Sequence, residues 1–154
     1  MTAEKLGVQD RYAPQSICFG CGPANAKGLQ IKSHREGQTM VATWHAQVHH
    51  QAFPGMLSGG IVGTLLDCHS NWTAAIHLME RQGVEQPPVT VTADYAVKLR
   101  RPTPIAGPIV LRARVVESTD EKAVVEAELE AGGKVCASCR GTFVAVTAGH
   151  PAYH

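Results

Sequence analysis

The stretch Pro54 to Met79, PGMLSGGIVGTLLDCHSNWTAAIHLM, fixes the architecture that the rest of the chain must serve. Ser58 is placed to cap a helix, because a hydroxyl there can accept from the N–H groups two or three residues on. Gly59 and Gly60 follow, leaving the first-turn backbone open to close approach by another molecule. No proline interrupts Gly60 to Arg81, and Ile61, Val62, Leu65, Leu66, Trp72, Ala75, Ile76 and Met79 spread around most of the helical circumference. A helix that is apolar on so many sides is wrapped by other elements. Before Glu80 it carries one acidic residue, Asp67, set between Leu66 and Cys68. A lone carboxylate in such surroundings is a candidate functional group.

The chain around this helix reads as strands. Leu29, Ile31 and Ser33 alternate with Gln30, Lys32 and His34, and Met40, Ala42 and Trp44 alternate with Val41, Thr43 and His45, which predicts a hairpin around Glu36-Gly37. Residues 47–57 read as a loop into the helix, which ends near Gly83 ahead of Pro87-Pro88. Beyond it the period becomes two. Val89, Val91, Ala93, Tyr95, Val97 and Leu99 fall on one side of a long strand, opposite Thr90, Thr92, Asp94, Lys98 and Arg100. Pro102, Pro104 and Gly107 break it. Three further strands follow: Ile109, Leu111, Ala113 and Val115; then Val125, Ala127 and Leu129 against Glu126, Glu128 and Glu130; then Val135 to Val146. The expected layout is an irregular lead-in over 1–27 that drapes over the domain, a single domain over 28–147, and a loose tail over 148–154. Six strands, the last four in a meander, have one helix to cover them, so the class is α+β with an antiparallel sheet curled around the helix.

Composition narrows the function classes. At 154 residues and a net charge of +1 the chain fits one domain, and its Lys and Arg are too scattered for a nucleic-acid partner. No run of eighteen apolar residues predicts a membrane span, and MTAEKLGVQDRYAPQS lacks the apolar centre of a secretion signal, so a soluble cytoplasmic protein is expected. The five cysteines are expected to be reduced. Cys18-x-x-Cys21 and Cys136-x-x-Cys139 raise the question of zinc. Cys136 and Cys139 lie three apart on a strand, however, and point to opposite faces, so no metal site is expected. His45 is on a strand and His49 and His50 are in a loop, with no face in common. His69 and His77 read as core or interface histidines, and Cys68 has no fixed catalytic partner.

Helix, sheet and motif together resemble the hot-dog fold, and FPGMLSGGIVGTLLD resembles the signature of PaaI-like acyl-CoA thioesterases: His-Gly-Gly opening the helix, with an Asp seven residues past the second Gly. Ser58, Gly59, Gly60 and Asp67 occupy those positions, with Ser58 standing where the family has His. CFGCGPANAKGLQIK and LRRPTPIAG resemble further stretches of one subgroup. The resemblance implies thioester hydrolysis without a separate cofactor, coenzyme A being part of the substrate. Helix-terminal N–H groups of Gly59 and Gly60 would polarise the thioester carbonyl. Asp67 would act as general base or as nucleophile. A silent acyl-CoA binder is the alternative that Ser58 raises.

Helix geometry adds an independent constraint. Ser58 and Asp67 are separated by about 13 Å along the axis at ~1.5 Å per residue, too far to serve one carbonyl. Two antiparallel copies across a two-fold axis would bring the tip of one to Asp67 of the other, so a homodimer, or a dimer of dimers, is expected. His50 and Gln51 are candidate contacts to the acyl group. Arg100 and Arg101, with Lys98, Arg112 and Arg114, are candidates for the phosphates of coenzyme A. Phe53, Met56, Trp72 and Tyr95 are candidate pocket walls.

Overall fold

The computed structural model describes residues 6–153; the first five residues of the expected lead-in and His154 of the expected tail lie outside the described residues. Its centre is a helix, α2, over Gly59–Gln82, with α1 a short helix over Val8–Tyr12. Leu65, Leu66, Ala74 and Leu78 of α2 are fully buried. The helix stops where Gly83 turns left-handed at φ 66°. There the Val84 N–H reaches back to the Met79 carbonyl at 3.2 Å, closing the last turn.

Around α2 curls a six-stranded sheet in the order β1-β2-β6-β7-β8-β5. Its strands are β1 (Ser33–Glu36), β2 (Thr39–Trp44), β5 (Val89–Leu99), β6 (Ile109–Ser118), β7 (Lys122–Ala131) and β8 (Lys134–Val146), and all neighbours are antiparallel. The alternation expected of β6 and β7 is present: Ile109, Leu111, Ala113, Ala123, Val125, Ala127 and Leu129 are buried against the helix. This is the expected hot-dog arrangement, a curved antiparallel sheet wrapped around one long helix.

Within the sheet and its connections three details differ from the sequence reading. The last four strands are not one meander: β6, β7 and β8 are, but β5 pairs with β8 at the sheet edge and β6 pairs with β2. Tight turns join β6 to β7 and β7 to β8, whereas the β5–β6 connection carries Pro102, Pro104 and Gly107 and crosses the sheet. Residues 47–57 are more than a loop. They form a 3-10 turn over Val48–His50 and a small ribbon of β3 (Gln51–Phe53) and β4 (Met56–Leu57). The ribbon is clamped to the crossover by Leu57 N–H to Thr103 O at 2.8 Å and Ile105 N–H to Gly55 O at 3.0 Å.

The third difference concerns the faces of β5. Its pairing with β8 shifts between Thr92 and Asp94, leaving Ala93 as an extra residue. One extra residue exchanges the two faces of a strand. Thr90 and Thr92 therefore face α2 before the bulge, where their hydroxyls bond to Asn71 and Asp67. After it, Val97 packs on the core and the ends of Tyr95 and Leu99 lie over α2. The single apolar face expected from Val89 to Leu99 is thus split in two.

The lead-in is not wholly irregular either. From α1 the buried Gln9 side chain donates to Ser33 Oγ at 2.9 Å and accepts the Ser33 N–H at 2.9 Å. Ser33 Oγ lies 2.8 Å from His69 Nδ1, and His69 Nε2 lies 2.9 Å from the Met40 carbonyl. A carbonyl only accepts, so Nε2 carries a proton, and in the neutral ring that burial favours Nδ1 accepts from Ser33. Burial first of all holds His69 down to about 4 from its ordinary 6.5. The unfolded chain therefore binds a proton that the folded chain refuses. The stabilisation is complete above pH 6.5 and is lost as pH falls towards 4, by about 3 kcal/mol at most. Urea unfolding from pH 7.5 to 4.5 should show His69→Gln less stable than wild type at the upper end, with the gap narrowing towards the lower end; a constant gap would refute this assignment.

Candidate active site

The helix tip is held rigidly from behind. Ser58 donates its N–H to the His50 carbonyl at 2.9 Å, and its own carbonyl accepts from the Ile61 and Val62 N–H groups at 3.1 Å each. The Ser58 hydroxyl makes no cap hydrogen bond, contrary to expectation. The third-position N–H that it would reach is already satisfied by the Ser58 carbonyl in a tightened first turn. Gly59 and Gly60 keep their N–H groups without partners among the described residues, and both are exposed. Two orphan donors at the positive end of a 24-residue helix are suited to receive an oxyanion.

Among the described residues nothing requires glycine at these positions. A Cβ on Gly59 would come no closer than 3.4 Å to Leu99 Cδ1, on Gly60 no closer than 3.7 Å to Ser58 Oγ, and on Gly63 no closer than 3.8 Å to the Tyr95 hydroxyl. These are ordinary contacts. The space left by the missing side chains faces outward.

Asp67 lies two turns further on, on the same stripe. Gly59, Gly63, Asp67 and Asn71 recur every fourth residue and run along β5, opposite Leu99, Tyr95, Thr92 and Thr90 in turn. The Thr92 hydroxyl donates to Asp67 Oδ1 at 2.7 Å. Burial pushes the Asp67 carboxyl up, the Thr92 hydrogen bond opposes this, and the negative charge on Cys18 adds to the rise. The result is a half-buried carboxylate more basic than an exposed one. Because α2 is continuous from Gly59 to Gln82, the tip and Asp67 of one protomer stay about 12 Å apart along the axis. One protomer does not bring the two halves together.

The other expected site residues have local duties. His50 is buried, accepts the Gln47 N–H on Nδ1 at 2.9 Å and packs on Trp44 with ring centres 5.1 Å apart. Burial first, then His49, lowers its proton affinity. Gln51 braces the ribbon turn, donating to Val48 O at 2.8 Å and accepting the Gly55 N–H at 2.5 Å. Arg100 and Arg101 are exposed just past β5, with Arg100 Nε donating to Ser138 Oγ at 3.2 Å. Arg112 and Arg114 are paired with Glu130 and Glu126 on the outer face of the sheet. Of the candidate walls, Phe53 and Tyr95 are exposed, and Trp72 donates its indole N–H to Cys21 Sγ at 3.3 Å. His77 bonds to Ser118 Oγ at 2.8 Å, away from the tip.

Two features escaped the sequence reading. Thr92 reaches Asp67 only because of the bulge at Ala93, which leaves no mark in composition. Cys18, Cys21 and Cys68 converge, their sulfurs all within 4.8 Å of one another. The Cys18 thiol is pulled down by hydrogen bonds, first from Cys21 and then from Cys68, while Cys68 is pushed up, first by Cys18.

No family model matches the chain, and no curated protein matches it. Solved structures do. A thioesterase superfamily protein of Shewanella loihica is 28% identical at a TM-score of 0.66, covering 81% of this chain and 98% of its own. A phenylacetic acid degradation-related protein of Ralstonia eutropha is similar at 21% identity and TM-score 0.65, covering 81% of this chain and 92% of its own. The PaaI protein of E. coli, from the phenylacetic acid degradation operon, is similar at 18% identity and TM-score 0.64, covering 80% of this chain and 85% of its own. The chain is thus a hot-dog-fold protein whose structural neighbours are thioesterase superfamily proteins, a PaaI protein among them.

Proposed function

We propose that this protein is a homodimeric acyl-CoA thioesterase that hydrolyses the thioester to free acid and coenzyme A. The observation that carries the reading is the open flank of α2. Unpaired N–H groups at Gly59 and Gly60, and glycines that their own protomer does not need, lie on one stripe with a half-buried carboxylate. The neighbouring strand points the same way: β5 is an 11-residue edge strand that carries exposed Tyr95 and Leu99. An edge of that length and character favours pairing with a second copy. In the antiparallel pair, Gly59 and Gly60 of one subunit polarise the carbonyl. Asp67 of the partner subunit, oriented by Thr92, either takes a proton from the attacking water or attacks the carbonyl itself to give an anhydride that water then opens. In the first route the tetrahedral intermediate collapses and expels the thiolate; in the second the thiolate leaves as the anhydride forms, and water then opens the anhydride to restore Asp67. In both, the thiolate gains a proton that balances the one lost by water. Arg100 and Arg101 meet the phosphates of coenzyme A, and His50 and Gln51 hold the loop beside the acyl group.

Asp67→Ala should reduce release of free thiol from an acyl-CoA panel by about 10² to 10⁴ while the particle stays dimeric by light scattering. Full turnover in that variant would refute the proposal. Acyl-CoA that raises the melting temperature of wild type without any thiol release would instead favour the silent binder, whose distinguishing residue is Ser58.

Gly60→Ala separates site from scaffold. Alanine suits a helix better than glycine by up to about 1 kcal/mol, so thermal unfolding should be unchanged or raised. Turnover should fall by up to about 10²-fold, as the methyl crowds the donor. Mixing inactive Asp67→Ala and Gly60→Val chains under exchange should restore about a quarter of wild-type activity, since random pairing gives heterodimers one intact shared site. No recovery would place both halves of the site in one subunit.

A further inference from the structure

Three sulfur atoms meet where the lead-in crosses the central helix. Cys18 and Cys21 come from the lead-in and Cys68 from α2, and Cys18 Sγ stands 3.7 Å from Cys68 Sγ. Thiolates bound to one tetrahedral zinc at about 2.3 Å each are about 3.8 Å apart, whereas a disulfide requires about 2.0 Å. The pair already stands at the edge length of a tetrahedral sulfur site. Cys136 and Cys139, the second pair that the sequence offers, take no part.

The Trp72 indole donates to Cys21 Sγ at 3.3 Å. A donor to sulfur favours its anionic, metal-binding form. The loop is wound tightly enough to bring both sulfurs onto the helix. A Cβ on Gly20 would fall 2.3 Å from Cys68 Sγ, and one on Gly22 would fall 2.3 Å from the Cys18 nitrogen. Only glycine fits at either place. Cys21 and Cys68 are buried while Cys18 is exposed, so a metal ion has a way in from solvent.

We propose that Cys18, Cys21 and Cys68 form a three-thiolate zinc site whose fourth position is open to water or a small exogenous ligand. A set of sulfur donors selects zinc over magnesium or calcium, which take oxygen. As each sulfur binds, any proton that it still carries passes to solvent. The ion clips the lead-in to α2 one residue from Asp67, across a sequence separation of 50 residues.

The full-length chain, produced with zinc in the medium, should contain about one zinc per chain by elemental analysis. Metal-free reduced protein titrated with cobalt(II) should develop the sulfur-to-metal charge-transfer absorption and the strong visible bands of a tetrahedral thiolate site. Cys68→Ser, checked for fold by circular dichroism, should lose the zinc and weaken the charge-transfer band. The Cys136→Ser, Cys139→Ser double variant should keep both. The cobalt titration of wild type needs no variant and so stands even if Cys68→Ser fails to fold. The proposal is overturned if folded, reduced wild type takes up neither metal at micromolar concentration, or if folded Cys68→Ser retains zinc as wild type does. It is equally overturned if mass spectrometry finds Cys18 joined to Cys21 or Cys68 as a disulfide in place of bound metal.

Discussion

A 24-residue apolar helix and a single sheet to cover it set the terms for everything else in this molecule. A flat sheet touches a helix along one line, so burying Leu65, Leu66, Ala74 and Leu78 together requires strands that bend around the helix. Even a curled sheet of six strands ends somewhere. It ends at β5, and the flank of α2 beyond that edge carries Gly59, Gly63, Asp67 and Asn71. The candidate site lies where the covering runs out. The residues there are small or polar because they do not have to fill a core.

The buried polar chain from Gln9 through Ser33 and His69 to the Met40 carbonyl solves a different problem. It attaches a short helix, too brief to be stable alone, to the first two strands and to α2. Each member donates to the next, so every buried polar atom along it is satisfied with the imidazole neutral. The lead-in is thereby fixed at one end, and the tight Cys18 to Gly22 turn fixes it at the other, against the helix beside Asp67.

The sequence discloses the helix well because its signals are local: a polar cap position before two glycines, an unbroken apolar run, and a glycine where the chain must turn left-handed. Gly59, Gly60 and Asp67 can be singled out for the same reason, since their spacing is fixed by the helix they share. The strands from Ile109 onward are equally readable through their alternation. Strand order is not, because the choice of β8 over β6 as the partner of β5 is made between residues far apart in the chain. The bulge is hidden for a simpler reason. Ala93 is an unremarkable strand residue, and only its misfit against Thr142 and Phe143 reveals that the faces exchange there. Cys68 likewise looks like one more small core residue until the fold carries Cys18 and Cys21 to it.

That exchange of faces has a chemical result. Along the seam where β5 meets α2, the half before Ala93 offers the hydroxyls of Thr90 and Thr92 with the amide of Asn71, and the half after it offers Tyr95 and the methyls of Leu99. The seam is therefore polar towards the carboxylate and apolar towards the helix tip. A surface divided in this way sheds water from one half more readily than from the other, so whatever packs against it meets a direction built into the solvation itself.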